Sequence, residues 1–202
     1  MADINGLLEK YKKIEKERFF YDILVCKEYK LVDSIKVNTV IDVGALAGEF
    51  GAYIYDRADV IYALEPMSEH YQELIDNINQ FGLNKIKPFK LALAGVNGKR
   101  MLGIHNDRGG HHLNLNSEKK EEVDAITLAS FIKQEKLDYI DLLKIDIEND
   151  EKEIFEASDF QEVANKISAI IGEHLGSSHN LLLNLGFEKI GEFERNILYK
   201  RK

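Results

Sequence analysis

The chain has one cysteine, Cys26, among 202 residues, which excludes an internal disulfide and any Cys-x-x-Cys metal site. No apolar run approaches the roughly 18 residues that a membrane span needs, so no spanning segment is expected. Positive charge is also scarce. Against 35 Asp and Glu stand 27 Lys and Arg, leaving a net charge of −8 and a pI near 5.3. Such a chain lacks the broad basic surface that holds a phosphate-rich partner, and nucleic acid is not expected as one. The G-x-S-x-G elbow and the G-x-x-x-x-G-K-[ST] phosphate loop are both missing. The start, "MADINGLLEKYKKIEKERFF", is charged throughout, unlike a secretion signal, and a cytoplasmic protein is expected. There is no internal repeat and no low-complexity linker, so a single domain is the reading.

What is present is enough apolar residue, 45%, to build a core. From Ile4 to about Val37 apolar residues recur at spacings of three and four: Leu7, Leu8, Tyr11, Ile14, Phe19, Phe20, Ile23, Leu24. Residues 1–36 therefore read as a helical extension that covers a main domain, residues 37–202. There, short continuous apolar runs alternate with amphipathic ones. "VNTVIDVG", "DVIYALEP", "KIKPFKLALAG", "DYIDLLKIDIE" and "KISAIIGEHLG" read as strands. "GEFGAYIYDRA", "SEHYQELIDNINQFG", "ITLASFIKQEK", "EKEIFEASDFQEVA" and "HNLLLNLGF" read as helices, with Ser68 as an N-cap and Gly82 as a C-terminal stop. "EKIGEFE" and "NILYKRK" close the chain as an antiparallel pair. The expected fold is α/β: a mostly parallel sheet with helices on both faces and an antiparallel C-terminal edge hairpin. Residues 95–124 break the rhythm. They are polar and rich in Gly and His, with room for one strand, "KRMLGIH", and read as an irregular segment suited to a mobile lid.

In an open parallel sheet ligands sit beyond the carboxyl ends of the strands. Four of the five strand ends deliver carboxylates there: Asp42, Glu65, Asp146 with Glu148, and Glu173 followed by His174. That is costly crowding of like charge unless a ligand, a cation or hydrogen bonds compensate. The loop after the first strand reads D-x-G-x-x-x-G, with Gly44, Ala45 and Gly48 in it. It is wider than the dinucleotide pattern G-x-G-x-x-G and is preceded by an acid, which would repel a pyrophosphate and attract a cation. S-adenosylmethionine (SAM) carries a sulfonium and an ammonium and no phosphate, so it suits this loop better than NAD. Close packing alone is the plainer explanation of the glycines. Glu65, just before Pro66, can accept both ribose hydroxyls of either cofactor. Period-two alternation puts Lys144, Asp146 and Glu148 on one face of their strand. Asp146 is expected to touch cofactor or substrate and Glu148 to orient neighbours, whereas Asn149 and Asp150 fit the N-cap and first turn of the next helix. His70 reads as a surface residue of its helix. His111, His112 and His174 are candidate bases for a hydroxyl. A metal held by Asp146, Glu173 and His174 has no local ligand pattern behind it, and none is expected.

Three stretches, "VIDVGALAGEFG", "IYALEP" and "ITLASFIKQEKLDYIDLLKIDIENDEKEIFEAS", resemble the FkbM-type methyltransferases, a branch of the class I SAM-dependent, Rossmann-like fold. With "IIGEH" and "LNLGFE" the similarity covers roughly residues 37–195. Asn149 stands where the family usually has glycine, and Ala129 where an acid is common. The resemblance implies a SAM-dependent enzyme. Asp42, Gly44, Ala45 and Gly48 would line the methionine part of SAM, Glu65 with Pro66 the ribose, and Leu93 with Ala94 the adenine. Asp146 and Glu148 would face the reaction centre. From their own positions in the sequence, His174 is a further catalytic candidate, and His111, His112 and Glu173 are candidates to hold the acceptor. The resemblance also implies O-methylation of a small molecule, sugar or glycan. A nucleotide-sugar or NAD oxidoreductase, or a non-catalytic SAM-fold module binding a protein partner, are the competing readings. A homodimer is left open.

Overall fold

The computed structural model describes residues 2–12, 22–24, 26–105, 110–148 and 150–202. Ile14, Phe19 and Phe20 of the N-terminal apolar pattern, and Asn149, lie outside the described residues. Helix α1 (Ile4–Lys12) and a 3-10 turn (Lys30–Ser34) precede the main sheet. Its parallel part is β1 (Thr39–Val43), β2 (Val60–Leu64), β3 (Ile86–Phe89), β7 (Ile140–Ile145) and β8 (Ile167–Gly172). The antiparallel hairpin β9 (Phe187–Phe193) and β10 (Asn196–Arg201) completes the order β3-β2-β1-β7-β8-β10-β9. The expected Rossmann-like architecture with an antiparallel edge is thus the one found.

The chain moves outward from β1 to β3 and then returns to lay β7 on the other side of β1. That reversal is the switch point where a crevice opens beyond the strand ends. Alternation sorts the side chains into two apolar layers. Val40, Leu142 and Ile171 join the layer under α1, α2 (Glu49–Ile54) and α3 (Ser68–Phe81). Ile41, Leu143 and Ile170 join the layer under α4 (Leu128–Gln134), α5 (Glu151–Glu156), α6 (Phe160–Val163) and α7 (His179–Asn184). Each of these side chains is fully buried and contributes about 1.5–3 kcal/mol. Because both faces of β1, β7 and β8 are covered, these strands are mostly apolar, with Asp42 and Lys144 as the buried charged exceptions.

Several expectations change. "KIKPFKLALAG" is two strands, not one: β3 belongs to the main sheet, and β4 (Ala92–Leu93) to a second, three-stranded sheet. Residues 95–124 are less irregular than expected, since β5 (Gly98–Gly103) and most of β6 (Lys120–Ile126) lie within them and pair antiparallel. The run after β7 is two short helices, α5 and α6. Ser68 begins α3 rather than capping it, and its N–H donates to the Glu121 carboxylate, 3.1 Å to Oε1, which does the capping. Gly82 ends α3 as expected, at φ +67°. No described helix is long and apolar enough to cross a membrane.

The three glycines after β1 serve close packing within the protein. Gly44 has φ +73°, and a Cβ there would overlap the carbonyl oxygen of Asp146. A Cβ on Gly48 (φ +95°) would lie 2.9 Å from Leu74, and one on Gly51 2.8 Å from Ile86. Gly44→Ala combines backbone strain with a backbone clash, so a loss of at least about 2 kcal/mol is expected in urea unfolding. Gly98→Ala also has positive φ, +131°, but nothing within 4 Å. Strain alone then costs about 1 kcal/mol. Equal losses in the two variants would refute the packing account.

Candidate active site

The register of β1 on β7 sets Asp42 beside Lys144. Both are almost completely buried, and Lys144 Nζ lies 3.1 Å from Asp42 Oδ1. The same ammonium donates to the carbonyls of Gly44, at 2.8 Å, and Val43, at 3.2 Å. Burial pushes the Asp42 carboxyl up, with Lys144 opposing. Burial also works against the charge on Lys144, but Asp42 and Asp146 together leave its pKa raised.

The loop that follows β1 is held on every side. The N–H groups of Gly44 and Ala45 both donate to Leu64 O, at 3.0 and 3.1 Å. Leu46 N–H donates to Glu65 Oε2 and Met67 N–H to Glu65 Oε1, each at 2.9 Å. Ala47 N–H donates to Glu49 Oε2, and Ala47 O accepts from Asn77 Nδ2, which also donates to the Tyr11 hydroxyl of α1. Glu65 thereby staples the ends of β1 and β2 while still facing the crevice. Its burial raises its pKa to about 7.

Asp146 follows β7, its N–H bonded to Val43 O at 3.2 Å and its Oδ2 accepting from the Tyr29 hydroxyl at 2.9 Å. Tyr29 is buried, and burial together with Asp146 holds its phenol well above the usual value. On the far side of β7, Glu173 directly follows β8. It is 4% exposed, and burial with the nearby Asp146 charge raises its pKa to about 7. Arg195, from the β9–β10 turn, reaches Glu173 Oε1 at 3.2 Å.

A single crevice gathers these groups. Gly44, Ala45, Glu65 and Pro66 line one part of it, Asp146, Glu148 and Glu173 another, and Leu91, Leu93 and Leu102 an apolar wall. His111 and His112 line it too. Asp42 sits beneath, behind Lys144, and Gly48, Ala94 and His174 are not among the lining residues. The Nε2 of His174 is 3.7 Å from Glu173 Oε2. Among the described residues no group of three His, Cys, Asp or Glu is placed to hold a metal.

Other members were not picked out from the sequence. Glu28 and Tyr29 of the N-terminal segment line the crevice, so that segment is wall as well as cover. His70, expected at the surface, is buried, 3.9 Å from Glu65 Oε1, with its ring 5.1 Å from that of His111. Its spacing to the buried Leu74, Asn77 and Phe81 places it on the inner stripe of α3, a signal that was readable. Asp150 does not cap α5 with its side chain. Its carboxylate accepts from Leu113 N–H at 2.7 Å and so pins the histidine segment to the start of α5.

Two expectations follow. Lys144→Met strands a buried carboxylate, which costs about 3–5 kcal/mol in denaturant unfolding, and adding Asp42→Asn recovers part of it. No recovery would mean that the ammonium acts mainly through the carbonyls. The second concerns pH. Glu65 and Glu173 have folded pKa values of about 7 against an ordinary 4.5. Between those values the folded state holds more protons than the unfolded one, so their contribution to stability falls as pH rises. Glu65→Gln or Glu173→Gln should flatten the loss measured between pH 4.5 and 7, and an unchanged slope in both would refute it.

Comparison with known proteins agrees with this geometry. At a TM-score of 0.56 and 15% identity, the chain resembles the crystal structure of Methyltransferase FkbM from Methylobacillus flagellatus KT, with 96% of this chain and 50% of that chain covered. It therefore spans half the length of that relative. M. capricolum TrmK, solved in complex with S-adenosyl-homocysteine (SAH), gives TM-score 0.56 and 14% identity over 89% of this chain and 70% of that chain. A protein of the NADB-Rossmann superfamily from Streptococcus agalactiae gives TM-score 0.56 and 15% identity over 87% of this chain and 67% of that chain. At these identities the likeness is one of fold. A comparison with curated proteins gave no match. The model of the Methyltransferase FkbM domain matches residues 42–187, most of the chain, and the chain belongs to that methyltransferase family.

Proposed function

We propose that this chain binds SAM at the β1–β7 switch and methylates a hydroxyl group of a small molecule, sugar or glycan. The observation that carries the reading is the placement of Glu65 and Asp146 on either side of a Gly44–Gly48 loop whose N–H groups are all hydrogen-bonded, in one crevice with an apolar wall. The donor set fits SAM. Its charged end meets carboxylates, while Leu91 and Leu93 offer an apolar surface to a base. A pyrophosphate would instead face Asp146, Glu148 and Glu173, which weighs against NAD and a nucleotide sugar. The net charge of −8 weighs against nucleic acid.

SAM, when bound, supplies an activated methyl group on a sulfonium. The protein's work is then alignment and proton removal. In this reading Glu65 holds the ribose hydroxyls, because its carboxylate is already fixed by Leu46 and Met67. Asp146 accepts the acceptor's hydroxyl proton. Tyr29 occupies its Oδ2, which fixes the carboxylate and leaves Oδ1 toward the acceptor. Its backbone packs against Gly44, so proton acceptor and cofactor loop are held in register. His112, 3.6 Å from Asp150, and His111 wall the acceptor side.

Titration calorimetry with SAM, SAH and NAD tests the cofactor. Binding of SAM or SAH is expected, with none for NAD, and Glu65→Ala should weaken it about 10–100-fold through loss of hydrogen bonds to a charged group. Circular dichroism confirms that the variant is folded. Absence of SAM and SAH binding to the wild type would sink the reading. With an acceptor in hand, Asp146→Asn should lower kcat about 10²-fold or more, a larger loss than it causes in SAM affinity.

A further inference from the structure

Resting on the reading above, we propose that the acceptor carries a cationic group, an ammonium or guanidinium, beside the hydroxyl that is methylated, and that Glu173 binds it in the negative field of Glu28 and Glu148. These three line the same crevice as Asp146. Glu173 comes from the end of β8, on the side of the β1–β7 switch away from β2 and Glu65. The cofactor half and this acidic half are therefore separated by the strand order itself.

The charges do not balance within the protein. Lys144 is committed to Asp42 and two backbone carbonyls. Among the described residues the other permanent cation lining the crevice is Arg195, whose side chain is 69% exposed, at the rim. It reaches Glu173 Oε1, but Glu173 Oε2 is buried without a hydrogen-bond donor, and His174 Nε2 at 3.7 Å is too far to serve. A carboxylate oxygen buried in that state is costly unless a ligand supplies the donor. The pKa values of Glu28, Glu148 and Glu173 are all raised, by burial first and by Asp146 next, as expected of acids short of a countercharge.

SAM itself does not settle the account. Its carboxylate offsets one of its two positive charges, and the remaining one is matched by Asp146 alone. A metal ion is not favoured either, since no three described ligands converge. A neutral sugar would leave three acids facing an uncharged surface. An ammonium or guanidinium donates several hydrogen bonds along with its charge, which is what Glu173 Oε2 lacks.

The test uses the full chain saturated with SAH and titrated with glucosamine or glucose, matched in shape and differing in the amino group, followed by NMR shifts. SAH binding is measured first in the same samples. Glucosamine is expected to bind at least 10-fold more tightly than glucose. That preference should fall below threefold in Glu173→Gln and in Glu148→Gln, two isosteric changes that relieve like-charge crowding and so should fold. Equal affinity for the two sugars, or no binding of either, with SAH bound, would overturn this inference alone. So would an unchanged preference in both variants, or displacement of glucosamine by stoichiometric Mg²⁺ or Ca²⁺. Failure of SAH to bind would overturn the cofactor reading instead.

Discussion

The buried pair of Asp42 and Lys144 is the constraint on which the rest of the crevice depends. Two charges withdrawn from water this completely rarely improve stability over an apolar pair of the same volume. Here the ammonium has a further task. It bridges a carboxylate on β1 and the carbonyls of Val43 and Gly44. A leucine at position 144 could pack there, but it could not hold the Gly44 peptide. The pair thus fixes where β1 stops being a strand and in which direction the loop leaves. It also removes Asp42 from the charge balance of the crevice, so that the negative potential there comes from the acids beyond β7.

That constraint explains why the loop glycines look like a ligand cradle and serve first as packing. The end of β7 comes close enough to β1 for the Asp146 carbonyl to occupy the space of a Gly44 side chain. Gly48 and Gly51 let α2 settle against Leu74 and Ile86. The glycines act on function at one remove. They bring Asp146 beside the loop, and the hydrogen bonds from Leu46 and Met67 then set Glu65 on the other side.

How legible this was depends on where each residue's burial comes from. The parallel strands could be read because both faces of each are covered, which leaves a mostly apolar run such as "ISAIIG". The strand β6, "KEEVDAI", has only Val123 and Ala125 fully buried and carries four charges, so it read as part of an irregular segment. Its period-two alternation was present but short. The carboxylates at the strand ends stood out because an acid after an apolar run has few structural excuses. Tyr29 did not, because its partner Asp146 is 117 residues away and nothing local marks the contact. Asp150 misled for the opposite reason. An acid before a helix has an ordinary local role, and its bond to Leu113 is tertiary.

The two halves of the crevice use different physics. On the β2 side, the protein satisfies nearly every polar group of the loop from within, so the site exists before a ligand arrives and pays little to be organised. On the β8 side, several acids share one crevice, and among the described residues the exposed Arg195 is what offsets them at Glu173. Such an arrangement is stable only because the fold over-determines it: Asp146 is tied to Val43, and Glu173 is fixed by a strand paired with both β7 and β10. Stored repulsion of this kind is released by whatever brings positive charge to it. Selectivity on this side would then come from relief of a cost already built into the fold, and less from new contacts, so an acceptor lacking charge would lose affinity even with its shape intact.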